Sequence, residues 1–128
     1  MEITDLHTEA LQKIKNDFGI EFTDIKNGYA RAILPVQPQL KNHMGIVYGG
    51  ILYNLADITA GVAFFSDDCL GATATGNMQY LRSNKNMKAV ICEANAVKRG
   101  KKIDFIDVKL TDEAGKELCR GQFVFARM

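Results

Sequence analysis

Asp57 is the only carboxylate between Asp24 and Asp67, and it sits in the middle of an apolar stretch that runs from Gly49 to Phe65. Acids are rarely buried unless paired, because desolvating the charge is costly. One reading is therefore structural, with Asp57 accepting bonds from backbone or hydroxyl groups and locking the packing. The other is chemical: apolar surroundings push a carboxyl's pKa upward, toward that of a base working near neutral pH. Gly49 and Gly50 open the same stretch. If it is a helix, its first N–H groups lack intrahelical acceptors and its macrodipole is positive there. Without side chains, these two residues let a ligand oxygen approach the backbone, as an oxyanion hole requires. The alternative is that the glycines only permit a tight entry from the preceding loop.

The elements that must hold these residues follow from periodicity. Gly49 to Phe65 predicts a helix of roughly five turns, apolar on nearly every side and therefore surrounded by protein. Ala56, Ala60, Gly61 and Ala63 would let a sheet approach it closely. Ahead of it, Thr4-Asp5 can cap a helix with apolar positions Leu6, Ala10, Leu11 and Ile14, ended by Gly19. Ile20–Ile25 and Tyr29–Val36 read as strands around Asn27-Gly28, a two-residue hairpin turn. Four more strands are expected at about 70–82, 86–98, 102–111 and 117–127, separated by turn residues. The fold class is α+β: an antiparallel sheet of about six strands around one helix, in a single domain spanning 1–128.

Spacing adds a constraint. Eight residues separate Gly49 from Asp57, about 12 Å at 1.5 Å per residue. A base and a carbonyl-polarising donor should each lie about 3 Å from the reacting group. One helix can hardly offer both. Two helices antiparallel across a twofold axis can, with Asp57 of one chain facing Gly49 and Gly50 of the other, which predicts a homodimer with two sites.

Composition excludes several function classes. The 16 basic against 15 acidic residues give a net charge of +1, without the basic excess of a nucleic-acid-binding domain. Cys69, Cys92 and Cys119 form no CxxC pair, and His7 and His43 are far apart, so neither a disulfide framework nor a metal site is expected. Ser66 and Ser83 stand in no Gly-x-Ser-x-Gly, and no phosphate-cradling Gly-x-x-x-x-Gly-Lys occurs. There is no apolar run of membrane-spanning length and no signal-peptide pattern, so a cytoplasmic protein with reduced thiols is expected.

Asn42-His43-Met44-Gly45-Ile46-Val47-Tyr48-Gly49-Gly50, followed by Leu55-Ala56-Asp57, resembles the hot-dog-fold thioesterases of the phenylacetate-degradation (PaaI-like) type, over nearly the whole chain. The resemblance implies hydrolysis of acyl-CoA thioesters, in dimers often paired into tetramers; no cofactor is expected, since water would be the nucleophile and the helix N-terminus the electrophilic aid. It implies that Asn42 helps bind the thioester carbonyl, that the Gly49 N–H polarises it with Gly50 beside the substrate, and that Asp57 aligns or deprotonates water. Thr73 matches the place where the family often has a hydroxyl beside that water, on a strand face continuing through Thr75, Asn77 and Gln79; taken alone it is equally a β-branched strand filler. Tyr48 departs from the family's usual His and would border the acyl group. Arg82 with Lys85, and Arg99 with Lys101, lie in two basic loops that could meet coenzyme A phosphates or simply be solvated hairpin tips. The competing functions are an acyl-CoA-binding sensor and a hot-dog hydratase or dehydratase, the latter needing a His–acid pair, for which His43 with Asp57 is mismatched in spacing.

Overall fold

Asn27 and Gly28 turn the chain back on itself, with Gly28 at φ 76°, a left-handed conformation that glycine adopts without steric cost. The computed structural model describes residues 5–128. The expected cap at Thr4 and the side chain of Leu6 lie outside the described residues. The chain runs α1 (Asp5–Phe18), β1 (Glu21–Lys26), β2 (Tyr29–Pro35), a 3-10 turn (Pro38–Leu40), α2 (Gly49–Phe65), β3 (Gly71–Tyr80), β4 (Ala89–Arg99), β5 (Ile103–Asp112) and β6 (Glu117–Arg127). The six strands form one sheet in the order β1-β2-β4-β5-β6-β3, all neighbours antiparallel. The expected class and strand number hold, with element boundaries shifted by three residues at most.

The sheet wraps α2. Leu52, Leu55, Ala56, Thr59, Ala60, Ala63 and Phe64 of the helix are buried against inward residues of β2, β4, β5 and β6, among them Leu34, Val90, Ile106, Leu110, Phe123 and Phe125. Alanines at 56, 60 and 63 are fully buried, so short side chains set how near the sheet can come. Within the single chain the helix is enclosed on one side only. Ile51, Asn54, Ile58, Gly61, Val62 and Phe65 fall on the opposite side at helical spacing and are only half-buried in the single chain.

Strand β3 lies at the sheet edge beyond β6, and residues 72–75 are exposed. Its ladder with β6 slips at Ala74, since Thr73 pairs with Phe125 and Thr75 with Val124. That β-bulge turns the strand over. Thr73 shares the helix-facing side with Phe125, whereas Thr75, Asn77 and Gln79 pair with Val124, Gln122 and Arg120 on the outer side. The single face expected to run from Thr73 to Gln79 is therefore split. The bulge gives Thr73 to the helix and the other three to the outer surface.

Candidate active site

The approach to α2 is built around Asn42. Its side-chain oxygen accepts the N–H groups of Met44 (2.9 Å) and Ile46 (3.1 Å), while its own N–H donates to the Ile46 carbonyl at 2.7 Å. Gly45 takes φ 80° at the tip of this turn. Lys41 bridges to Val47, and the Tyr48 N–H donates to the Leu40 carbonyl at 3.0 Å. The loop thus delivers Tyr48 as the N-cap residue in extended backbone, φ −55° and ψ 137°. Asn42 shapes the entrance to the helix, with its oxygen committed to the loop and its amide nitrogen the atom a carbonyl would meet.

The Tyr48 carbonyl accepts the N–H groups of Ile51 and Leu52, at 3.0 and 3.2 Å. Gly49 and Gly50 precede these donors, so helix geometry leaves their N–H groups without intrahelical acceptors at the positive end of the dipole. Tyr48 is half-exposed beside them. Tyr80, from the far end of β3, donates its hydroxyl to the Gly49 carbonyl at 2.9 Å. Burial pushes the Tyr80 phenol above its ordinary pKa, so it stays protonated and able to donate at neutral pH.

Two turns along, the Thr73 hydroxyl donates to the Asp57 carboxylate at 2.8 Å. Asp57 is half-buried rather than enclosed. The fully buried acid among the described residues is Asp104, and Asp112 is nearly as buried at 3% exposure. Asp57 therefore lies where the half-open side of α2 meets the edge strand, close to solvent and to whatever covers that side. The bulge at Ala74 is what aims Thr73 at it. His43 is exposed in the entry loop.

The basic residues separate into different roles. Arg99 is spent on the far end of α2: its guanidinium donates to the carbonyls of Ala63 (3.1 Å) and Phe64 (2.8 Å) and pairs with Asp67 at 2.8 Å and Asp104 at 3.5 Å. A cation there answers the negative end of the helix dipole. This corrects the expectation of Arg99 as a phosphate contact, because its donors are already committed. Asp104 is held further by a bidentate Arg127, both contacts at 2.9 Å. Arg82 is exposed with one nitrogen on the Glu117 carbonyl, and Lys85 and Lys101 are exposed. Arg82 and Lys85 follow β3, at the end where Tyr80 meets Gly49, while Lys101 lies by the C-terminus of α2.

Sequence reasoning missed Tyr80, as well as Asp67, Asp104 and Arg127. Nothing near Tyr80 in the chain marks it, since its partner is 31 residues away. The thiols are not nucleophiles poised for use: burial pushes Cys92 up to about 12 and Cys119 up to about 11. Among the described residues, no three His, Cys, Asp or Glu side chains gather as a metal-ligand group. No helix among them is long and apolar enough to cross a membrane. A depression of about 560 Å³ lies on the outer face of the sheet, bordered by Asn77, Gln79, Glu93, Asp107, Arg120 and Gln122, away from Asp57.

Residues 44–119, more than half of the chain, match the family model described as Thioesterase superfamily. A proposed esterase of Mycobacterium tuberculosis is 28% identical over 113 residues, covering 84% of this chain and 80% of that protein. Among solved structures, the Escherichia coli PaaI protein of the phenylacetic acid degradation operon superposes with a TM-score of 0.88 at 19% identity, covering 94% of this chain and 90% of that one. A hypothetical thioesterase of Streptococcus pneumoniae, solved with coenzyme A, gives 0.82 at 22% identity, with 89% and 96% covered.

Proposed function

Because the chain belongs to the thioesterase superfamily, with the hot-dog fold of the PaaI-like proteins, we propose that it hydrolyses acyl-CoA thioesters to a free acid and coenzyme A. The observation that carries this reading is the pairing of Asp57 with Thr73 at 2.8 Å on the same helix that begins with Gly49-Gly50. Water held by Asp57 and Thr73 attacks the thioester carbonyl carbon, and its proton passes to the Asp57 carboxylate. The carbonyl oxygen becomes an oxyanion, stabilised by the Gly49 N–H and the helix dipole, with the Asn42 amide beside it. Collapse breaks the C–S bond, and the coenzyme A thiolate leaves and takes the proton back.

The two halves of this machinery lie about 12 Å apart along one helix, so the reading requires a homodimer in which Asp57 of one chain works opposite Gly49 of its partner. The half-open side of α2 and the exposed edge of β3 support that arrangement. Antiparallel helices also bring the end that carries Lys101 in one chain toward the end that carries Arg82 and Lys85 in the other. These three cations are then the candidates for coenzyme A phosphates. The coenzyme A seen in the pneumococcal relative supports the choice of thioester.

A panel of aryl and aliphatic acyl-CoAs, followed with a thiol reagent, tests the reading. Release of coenzyme A is expected for at least one of them. Saturable binding with no thiol released would overturn hydrolysis in favour of a sensor, for which Tyr48 in the family's usual His position would be the mark of lost chemistry.

A further inference from the structure

We propose that Tyr80 is a positioning residue for this reaction: its hydroxyl fixes the Gly49–Gly50 peptide plane, and with it the direction of the Gly50 N–H, as a second donor to the thioester oxygen. The inference rests on the hydrolase reading and names a residue and a donor that reading does not use. A peptide group is planar, so a bond that holds the Gly49 carbonyl also holds the Gly50 N–H, which points the opposite way across the same plane. The Gly49 N–H belongs to the preceding plane, whose Tyr48 carbonyl is already held by Ile51 and Leu52.

The helix gives the Gly49 carbonyl one intrahelical bond, and the Tyr80 hydroxyl adds a second restraint to the Gly49–Gly50 plane. Two consecutive glycines at a helix start have the widest conformational freedom of any pair, and first turns fray. A donor aimed by such a plane loses the preorganisation on which an oxyanion hole depends. Tyr80 supplies the restraint twice. Its hydroxyl donates to the Gly49 carbonyl at 2.9 Å, and its ring packs beside the glycine, where an added Cβ would stand 3.5 Å from Cε1 and 3.6 Å from Cζ. The ring is in turn anchored through β3, whose Tyr80 pairs with the fully buried Cys119. A hydrogen bond onto the carbonyl also draws electron density from the amide and strengthens the Gly50 N–H as a donor. A single edge strand thus reaches both halves of the machinery, Thr73 onto Asp57 and Tyr80 onto Gly49.

Tyr80→Phe keeps the ring against Gly49 and removes only the hydroxyl. With an acyl-CoA that the wild-type protein hydrolyses, kcat is expected to fall about three- to tenfold, the loss of one net hydrogen bond, with KM and the thermal midpoint nearly unchanged. In a 1H–15N spectrum the Gly50 amide signal is expected to move while signals of the sheet stay in place. A variant with wild-type kcat and an unmoved Gly50 amide overturns the proposal, as does one whose only change is a lower midpoint. If Tyr80→Phe does not fold, 3-fluorotyrosine at position 80 keeps shape and hydroxyl but donates more strongly: a shifted Gly50 amide with altered kcat supports the proposal, and no change in either overturns it. If the wild type releases coenzyme A from nothing, the hydrolase reading fails by itself and the role in catalysis falls with it, while the Gly50 signal still reports whether Tyr80 holds the plane.

Discussion

Replacing Asp57 by Asn removes the base while keeping the volume and an oxygen for the Thr73 hydroxyl. If Asp57 takes the proton from water, kcat should fall by about 10²- to 10⁴-fold, the usual loss for a general base. KM should change little, since in the proposed mechanism the carboxylate acts on water and not on coenzyme A. Thermal midpoint and kcat measured on one preparation decide the matter, because a structural Asp57 would cost stability and leave the folded fraction its turnover. Thr73→Val is the milder partner test. It keeps the β-branched shape in the strand and deletes the hydroxyl that orients the Asp57 carboxylate at 2.8 Å, so a drop in kcat of about three- to tenfold is expected. Equal turnover by the valine variant would reduce Thr73 to a strand filler.

The two ends of α2 are held by different means, and each end has its own consequence. At the C-terminus, Arg99 caps the Ala63 and Phe64 carbonyls while Ser66 accepts the Gly28 N–H at 2.7 Å, which ties the helix to the first hairpin. Arg99→Met leaves those carbonyls and part of the charge on Asp67 and Asp104 uncompensated, and should cost roughly 2–4 kcal/mol of stability in urea melts. KM for acyl-CoA should be unmoved. A raised KM at wild-type stability would instead restore Arg99 as a phosphate contact. Acid is expected to weaken the same corner. Burial alone would raise the Asp67 carboxyl, but hydrogen bonds from Arg99 and Cys69 outweigh it and hold Asp67 well below the usual carboxylate range. A folded-state pKa below the unfolded one stabilises the protein fully above the unfolded value, near 3.9, and is lost as pH falls through the folded value. The wild-type midpoint should therefore drop more steeply than that of Asp67→Asn below about pH 4. Parallel curves would show that the pairing contributes nothing.

At the scale of the molecule, the half-covered side of α2 and the unpaired edge of β3 are two incomplete surfaces that meet at Asp57. An open edge strand is a pairing hazard unless something covers it. A dimer that seats one α2 beside another covers both surfaces and completes the proposed site. Sedimentation equilibrium run beside the activity assay should find turnover only where dimers are present, and an active monomer would end the arrangement. The mechanism proposed also draws its nucleophile from Asp57 and its electrophilic assistance from a helix terminus, so exhaustive chelation should leave the rate intact. Activity lost to a chelator and regained with one metal would replace that mechanism.

The chain by itself determined what depends on local pattern. Alternation marked the six strands, helical spacing marked both helices, and Asn27-Gly28 marked the first turn, because backbone period and turn conformation are set within a few residues. Asp57 and Gly49-Gly50 stood out for the same reason, as a charge and a bare backbone inside one apolar helix. Tertiary structure decided what depends on partners distant in sequence. The bulge at Ala74 comes from the fit of β3 against β6, and it sends Thr73 inward and Thr75 outward, which a strict period of two cannot foretell. Arg99 found helix carbonyls 36 and 35 residues back in the chain rather than solvent. Tyr80 met Gly49 only because the strand order sets the end of β3 beside the start of α2. Asp57 is half-open because one chain's sheet covers only one side of the helix, and hydrophobicity around the whole helix records burial without saying which chain provides it.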